Sequence, residues 1–379
     1  ELQKQGEKVA AFSINKDLTT KSINNKTIKT SEQINFIDKY VSQKDIVILD
    51  IGKELTAVEQ QILTQTDSCH LLATEGEEEK LVQQLLENGL IRENILTVNT
   101  HRISQGRVQS IARNLTGKAI GLALGCGGAL ALSQIGVLEI LEKEKVDIDM
   151  IAGTSMGAII SSFWAVGYKA KQIQESFQDF NSQKKTLSFF DFALSHRGFV
   201  KGKNIKAFLK KYLGEKTFAD TNIPLKIIAC DIETRKEVVL DKGKIADAVM
   251  ASIAIPGIIN PVQAQNGQML VDGGIINPLP VSVLSKEGIK RIIAVNCMPS
   301  PEDKIKNISN NQMVIDVMIN SFYSMQYMIG KHVGEYVDLY LHPVLQNSAW
   351  HEFFRVNEFV ECGRESVCKK IKELRELQK

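Results

Sequence analysis

Apolar and polar positions along this chain fall into two patterns, short continuous apolar runs and helical stripes. "KVAAFSI" (8–14) predicts a strand. "SEQINFIDKYVSQ" (31–43) opens on an N-cap serine and sets apolar side chains at 34, 36, 37, 40 and 41, the spacing of one helix face. The run "DIVILDI" (45–51) suits a buried parallel strand. A helix over 56–65, a strand over 69–74 and a helix over 77–88 closed by Gly89 continue the rhythm. A βαβαβ order predicts a small α/β module over 1–117, with a helix over 104–118 leading out of it. Having no G-x-x-x-x-G-K-[ST] loop, this module lacks a phosphate cradle and is expected to be structural or regulatory.

A second α/β unit begins with a strand at "KAIGLAL" (118–124), a glycine loop at 125–129 and a helix over 130–144. A short strand at 149–152, a turn and another helix follow. Further strands are expected at 225–232, 237–241 and 289–297, and charged helices over 346–379 that pack on the domain before them. The expected fold class is therefore α/β. A three-layer α/β/α domain over 118–345, with a mostly parallel central sheet, follows the smaller module.

At 379 residues, 44% hydrophobic and 24% charged, the chain can bury a sizeable core in two domains. A net charge of +2 argues neither for nucleic acid nor for an acidic partner in bulk, so any basic patch must be local and no nucleic-acid partner is expected. Cys69, Cys126, Cys230, Cys297, Cys362 and Cys368 form no C-x-x-C pair, which predicts neither a zinc site nor a disulfide framework and fits a reducing compartment. The chain opens on Glu1, as a fragment or processed product would, and no basic segment followed by an apolar run predicts a signal peptide. The apolar stretches 119–132 and 148–168 are broken by glycines and hydroxyls and are expected to be buried core rather than membrane spans.

Three short motifs carry candidate chemistry. "GTSMG" (153–157) is a G-x-S-x-G element between an apolar strand and an apolar helix. In that setting Gly153 and Gly157 allow a tight turn that pushes the Ser155 hydroxyl outward, with a helix N-terminus behind it. "GLALGCGGALAL" (121–132) fails as a dinucleotide fingerprint because Leu130 stands where the third glycine belongs. It leaves two readings: an oxyanion loop using the N–H groups of Gly127 and Gly128, or a packing turn. "LVDGGIINPLP" (270–280) sets Asp272 before Gly273 and Gly274 at a strand end. A serine nucleophile needs a base. The six histidines are isolated; His332, His342 and His351 at least follow Ser155 in the order a Ser-His triad would need. Asp272 is the other candidate.

In combination and order, "GCGG" (125–128), "GTSMG" (153–157) and "DGG" (272–274) resemble the patatin-like phospholipase family. "RGFVKGKNI" (197–205), "ASIAIPGIINPV" (251–262) and "DGGIINPLPV" (272–281) are similar to its bacterial members. "RNLTGKAIGLAL" (113–124) resembles the approach to the catalytic domain in relatives of neuropathy target esterase. The resemblance implies a lysophospholipase or phospholipase A using a Ser155–Asp272 dyad, an acyl-enzyme on Ser155 and an oxyanion held by the loop Gly125, Cys126, Gly127, Gly128 and Ala129. It implies no metal and no cofactor. Where the family commonly has G-G-G-x-R-G, this chain has Cys126, Leu130 and Ala131 in place of glycine, arginine and glycine. That departure keeps open a hydrolase of other esters or thioesters, or a weakly active binding or regulatory protein. The expected partner is a lipid or lysophospholipid. Phe189, Phe190, Phe192 and Phe199, interleaved with Lys184, Lys185, Arg197, Lys201 and Lys203, leave two readings of 184–203: reversible membrane contact, or a lid or loop that packs its phenylalanines on the core. The expected location is cytoplasmic, at the inner membrane surface.

Overall fold

The computed structural model describes residues 9–13, 46–50, 69–73, 78–87, 90, 95–99, 105–180, 182–183, 185–186, 192–195, 198–200, 202–264, 266–304 and 314–379. The chain divides into two units, Glu1–Thr116 and Gly117–Lys379.

In the first unit β1 (Val9–Ser13) pairs in parallel with β2 (Ile46–Asp50), and β3 (Cys69–Ala73) in parallel with β4 (Ile95–Asn99). Parallel neighbours need a crossover. Between β3 and β4 the chain forms α1 (Glu78–Glu87), which buries Leu85 with Leu90 and Ile95. Helix α2 (Gln105–Leu115) follows. The helices expected over 31–43 and 56–65 lie outside the described residues.

The second unit starts with β5 (Ile120–Leu124), α3 (Ser133–Lys143), β6 (Met150–Thr154), α4 (Met156–Ala165) and α5 (Ala170–Phe177). The antiparallel pair β7 (Phe192–Ser195) and β8 (Gly198–Val200) comes next, then α6 (Lys203–Leu213), β9 (Leu225–Asp231) and β10 (Lys236–Leu240). Helix α7 (Ile245–Ser252), β11 (Val262–Gln263), β12 (Met269–Asp272), α8 (Val281–Lys286) and β13 (Arg291–Val295) follow. The last elements are α9 (Val314–Gly334), β14 (Leu339–Leu341), α10 (Val356–Lys369) and α11 (Ile371–Leu377).

One sheet organises the unit, in the order β11-β12-β9-β6-β5-β13-β14 with β10 also on β9. The β14-β13-β5-β6-β9 run is parallel, and β10, β11 and β12 are antiparallel additions. Side chains of β5 alternate between faces. Leu122 and Leu124 enter a large core with α3, α4, α5, α6, α7 and α10, whereas Ala123 faces a thinner one. On that second face Ala123, Ala152 and Ala294 are small enough for the short α8 to sit close with Val281 and Leu284. The result is the expected three-layer α/β/α arrangement, with one thick and one thin helical layer.

The C-terminal helix α10 lies against α3, burying Phe359, Val360 and Val367, and Arg364 holds Glu139 at 2.7 Å. Each such apolar side chain contributes about 1.5–3 kcal/mol. The helix expected over 130–144 begins as a 3-10 turn over Gly128–Leu132 and becomes α-helical only at Ser133. A left-handed Gly128 and an Ala129 N–H tied to the Trp350 carbonyl, 2.7 Å away, hold the loop out of helical geometry.

Candidate active site

The pairings of β9 fix the geometry. Strand β10 pairs with β9 over residues 227–231 of β9, overlapping the stretches used by both β6 and β12, so β6 and β12 share the opposite edge. Along that edge β6 ends at Thr154 opposite Ile228, and β12, running the other way, ends at Asp272 opposite Ala229. Two strand ends therefore meet head to head on neighbouring residues of β9.

Ser155 is the first residue past the end of β6. Its backbone sits at φ 56° and ψ −120°, a left-handed conformation that costs a non-glycine residue roughly 1–3 kcal/mol. Three hydrogen bonds hold the turn. The Ser155 N–H donates to Ser252 Oγ at 2.9 Å, Ser252 O–H donates to the Ile228 carbonyl at 2.5 Å, and Thr154 O–H donates to the Asn277 carbonyl at 2.9 Å. Behind the turn, α4 starts hard against the end of β5. A Cβ on Gly157 would strike the Leu124 carbonyl, and one on Gly153 would strike Ser161 Oγ. Gly273 lies equally close to the Ile228 carbonyl.

The Ser155 hydroxyl donates to Asp272 Oδ2 at 2.6 Å, and Asp272 Oδ1 accepts the Gly274 N–H at 2.7 Å. Both side chains are buried, at 7% and 4% exposure. Burial raises the Asp272 carboxyl to a pKa of about 6, while the bonds from Ser155 and Gly274 pull it down. At neutral pH it is mostly ionised, and far more basic than an exposed aspartate.

The glycine loop lies beside this pair. Gly125 N–H donates to the Val295 carbonyl at 3.1 Å, Cys126 N–H to the Pro278 carbonyl at 2.9 Å, and Ala129 N–H is held by Trp350. Those three loop members are anchors. The N–H groups of Gly127 and Gly128 have no partner among the described residues. Gly128 sits at φ 53°, and a Cβ there would come within 2.8 Å of the Trp350 carbonyl. Neither Cys126 nor Ala131 adopts positive φ, so neither backbone position needs a glycine. Leu130 is buried in the main core. Burial, with the Asp272 charge, pushes the Cys126 thiol well above its usual value, and it lies 3.5 Å from Met298 Sδ, so it stays protonated.

Cys126, Gly127, Gly128, Ser155 and Asp272 open onto a pocket of about 520 Å³ of atom-free space, its mouth included. Ile255, Pro256, Ile258, Ile275 and Trp350 line the rest together with Phe322, Tyr323 and Gln326 of α9. The α9 wall and Ser252 have no counterpart in the motif reading. For α9 a signal existed: no charged residue occurs from 317 to 330. Ser252 falls inside "ASIAIPGIINPV" (251–262), but nothing in that stretch marks its bond to Ser155, which depends on a break in pairing along β9. No histidine lines the pocket. His342 is engaged elsewhere, with Asp303 Oδ2 at 3.1 Å and the Asn296 carbonyl at 3.0 Å. Among the described residues no His, Cys, Asp or Glu cluster could hold a metal ion. Phe189, Phe190, Lys184, Arg197 and Lys201 lie outside the described residues, as do the side chains of Phe192 and Phe199.

Comparison with known proteins finds relatives over part of the chain. Residues 122–285 match the family described as patatin-like phospholipase. An uncharacterized NTE family protein of Mycobacterium tuberculosis is 32% identical over 190 residues, covering 48% of this chain and 50% of that protein. Lysophospholipase NTE1 of Candida albicans is 30% identical over 188 residues, covering 49% of this chain and 14% of that one. The chain thus spans half or less of these curated relatives. Among solved structures, VipD from Legionella pneumophila is similar at 12% identity and a TM-score of 0.37, covering 67% of this chain and 66% of that one. Residues 122–285, the stretch holding both Ser155 and Asp272, are thus the part of the chain that is similar to the patatin-like phospholipase family.

Proposed function

We propose that this protein is a serine lipid acyl hydrolase of the lysophospholipase or phospholipase A type, with Ser155 as nucleophile and Asp272 as base. The observation that carries this reading is the 2.6 Å bond from the Ser155 hydroxyl to Asp272, in a pocket that no histidine lines. Asp272 takes the Ser155 proton as Oγ attacks the acyl carbon. Negative charge develops on the former carbonyl oxygen, where the Gly127 and Gly128 N–H groups donate to it. The tetrahedral species collapses to an acyl-Ser155, and Asp272 returns the proton to the departing alcohol. Water then enters, loses a proton to Asp272 and attacks the acyl carbon. The second tetrahedral species breaks its bond to Ser155, Asp272 returns the proton to Oγ, and the fatty acid leaves.

Backbone donors survive the change of neighbouring side chains, which is why the substitutions at Cys126, Leu130 and Ala131 are compatible with this chemistry. The apolar walls from Ile255, Ile258, Ile275 and Phe322 suit an acyl chain. The relative named a lysophospholipase supports a lipid substrate. The test is fluorophosphonate labelling read by intact mass. The expected result is one adduct on the native protein, none on Ser155→Ala and slow labelling of Asp272→Asn. No adduct on folded native protein would overturn the reading.

A further inference from the structure

Helix α9 has two unlike faces. At roughly 100° per residue, Phe322, Tyr323 and Gln326 fall on one side, and Val317, Ser321, Met325 and Met328 on the other. The first side lines the pocket. On the second, Val317, Met325 and Met328 are exposed at 50%, 51% and 50%, and Tyr336, two residues past the helix end, is exposed at 84%. From 317 to 330 the helix carries no charged residue.

Two hydroxyls on the outer side are bonded within the helix. The Ser321 hydroxyl donates to the Val317 carbonyl at 2.8 Å and the Ser324 hydroxyl to the Asn320 carbonyl at 3.0 Å. Neither needs water. A surface helix in bulk solvent ordinarily presents charge there, and a protein-facing stripe ordinarily adds polar groups that set register. This stripe has exposed apolar side chains, hydroxyls bonded within the helix, and Lys331 and His332 in its last turn. Among the described residues no helix is long and apolar enough to cross a membrane, so the stripe is fitted to lie on a bilayer rather than span it.

We propose that α9 is the membrane-docking element of the protein: Val317, Met325, Met328 and Tyr336 enter the interface of a phospholipid bilayer, placing the pocket under α9 against the lipid from which substrate is drawn. The proposal rests on the lipid hydrolase reading for its choice of occupant. It puts the principal contact on α9 rather than on 184–203.

The test is co-sedimentation of the full chain with phosphatidylcholine vesicles containing phosphatidylglycerol, with Met325→Glu/Met328→Glu beside Met325→Leu/Met328→Leu. The glutamate pair is expected to weaken vesicle binding by about tenfold or more and to slow hydrolysis of vesicle-embedded phospholipid in step. Hydrolysis of a water-soluble short-chain ester should stay within about twofold, since neither methionine lines the pocket. The leucine pair should behave as the native protein. Native protein that fails to sediment, glutamate variants that bind unchanged, or a native dimer that the glutamates convert to monomer would each overturn the proposal. A native protein that sediments but hydrolyses neither ester would instead remove the hydrolase reading and leave docking standing.

Discussion

Thr154 and Asp272 end two strands that approach each other along one edge of β9, opposite Ile228 and Ala229 respectively. Ser155, the residue after Thr154, therefore reaches Asp272 at 2.6 Å across 117 positions of sequence. A parallel and an antiparallel neighbour share one edge, so the ladder is broken there. Ser252 fills the break by bonding both the Ser155 N–H and the Ile228 carbonyl.

Removing either reacting group should abolish turnover. Ser155→Ala and Asp272→Asn are each expected to lower kcat/KM on a short acyl ester by at least about 10³-fold. Because the two act as one unit, the double variant should lose no more than about tenfold beyond either single change. Steady-state rates on matched protein samples check this, and additive losses would count against a shared step.

Asp272 also predicts a pH dependence of opposite sign in activity and stability. With a folded pKa of about 6, activity should rise through pH 6 and level off above it, as the carboxylate form takes over. Stability runs the other way. The folded carboxyl holds its proton more tightly than the unfolded one, so its contribution is complete below the unfolded value of 3.8 and is lost as pH rises through about 6. Asp272→Asn should therefore gain stability relative to native protein above pH 6, by up to roughly 2–3 kcal/mol. Thermal unfolding of the two proteins at pH 5 and pH 8 measures the difference.

The loop predicts a contrast between adjacent positions. Gly128→Ala places a Cβ within 2.8 Å of the Trp350 carbonyl on a left-handed backbone, which should cost about 2 kcal/mol or more and depress kcat. Cys126→Ala leaves the backbone and its bond to Pro278 intact, so activity should stay within about threefold of native. Thermal melts and ester hydrolysis on both variants check the pair. If Cys126→Ala were inactive, the thiol would have a function that its protonated, buried state does not suggest.

Much of the site was legible in the sequence because its parts are local. A G-x-S-x-G element between apolar runs dictates a strand, a tight turn and a helix, and D-G-G after "MLV" dictates a carboxylate at a strand end. What brings the two together was not legible: the shared edge of β9 is a relation among three strands, and "LKIIACD" (225–231) reads the same whichever strands flank it. Helix α9 was missed for a different reason. Its two sides meet pocket and solvent, yet neither carries charge from 317 to 330, so the charged face that usually announces an amphipathic helix is absent and the uncharged run is the one mark of it. The 3-10 start of the 130–144 helix depends on Trp350, more than 200 residues away, and no local pattern carries it.

Ser252 gives the last test, and it separates positioning from chemistry. Its hydroxyl is fully buried, touches no reacting atom, and is the acceptor for the N–H of the strained Ser155. Ser252→Ala would leave that N–H and the Ile228 carbonyl without their partner, costing about 1–3 kcal/mol of stability. The Ser155 turn would lose a restraint that offsets its strain, so the hydroxyl should spend less time aligned with Asp272. Turnover is expected to fall by roughly tenfold with KM little changed, because nothing in the substrate-lining wall moves. Ser252→Thr, which keeps the hydroxyl, should recover part of the rate if its extra methyl is accommodated, and the apparent pKa near 6 should persist in every active variant. A Ser252→Ala protein with reduced stability but native kcat would show that the turn holds its shape without this bond, and that the break along β9 is bridged for folding alone.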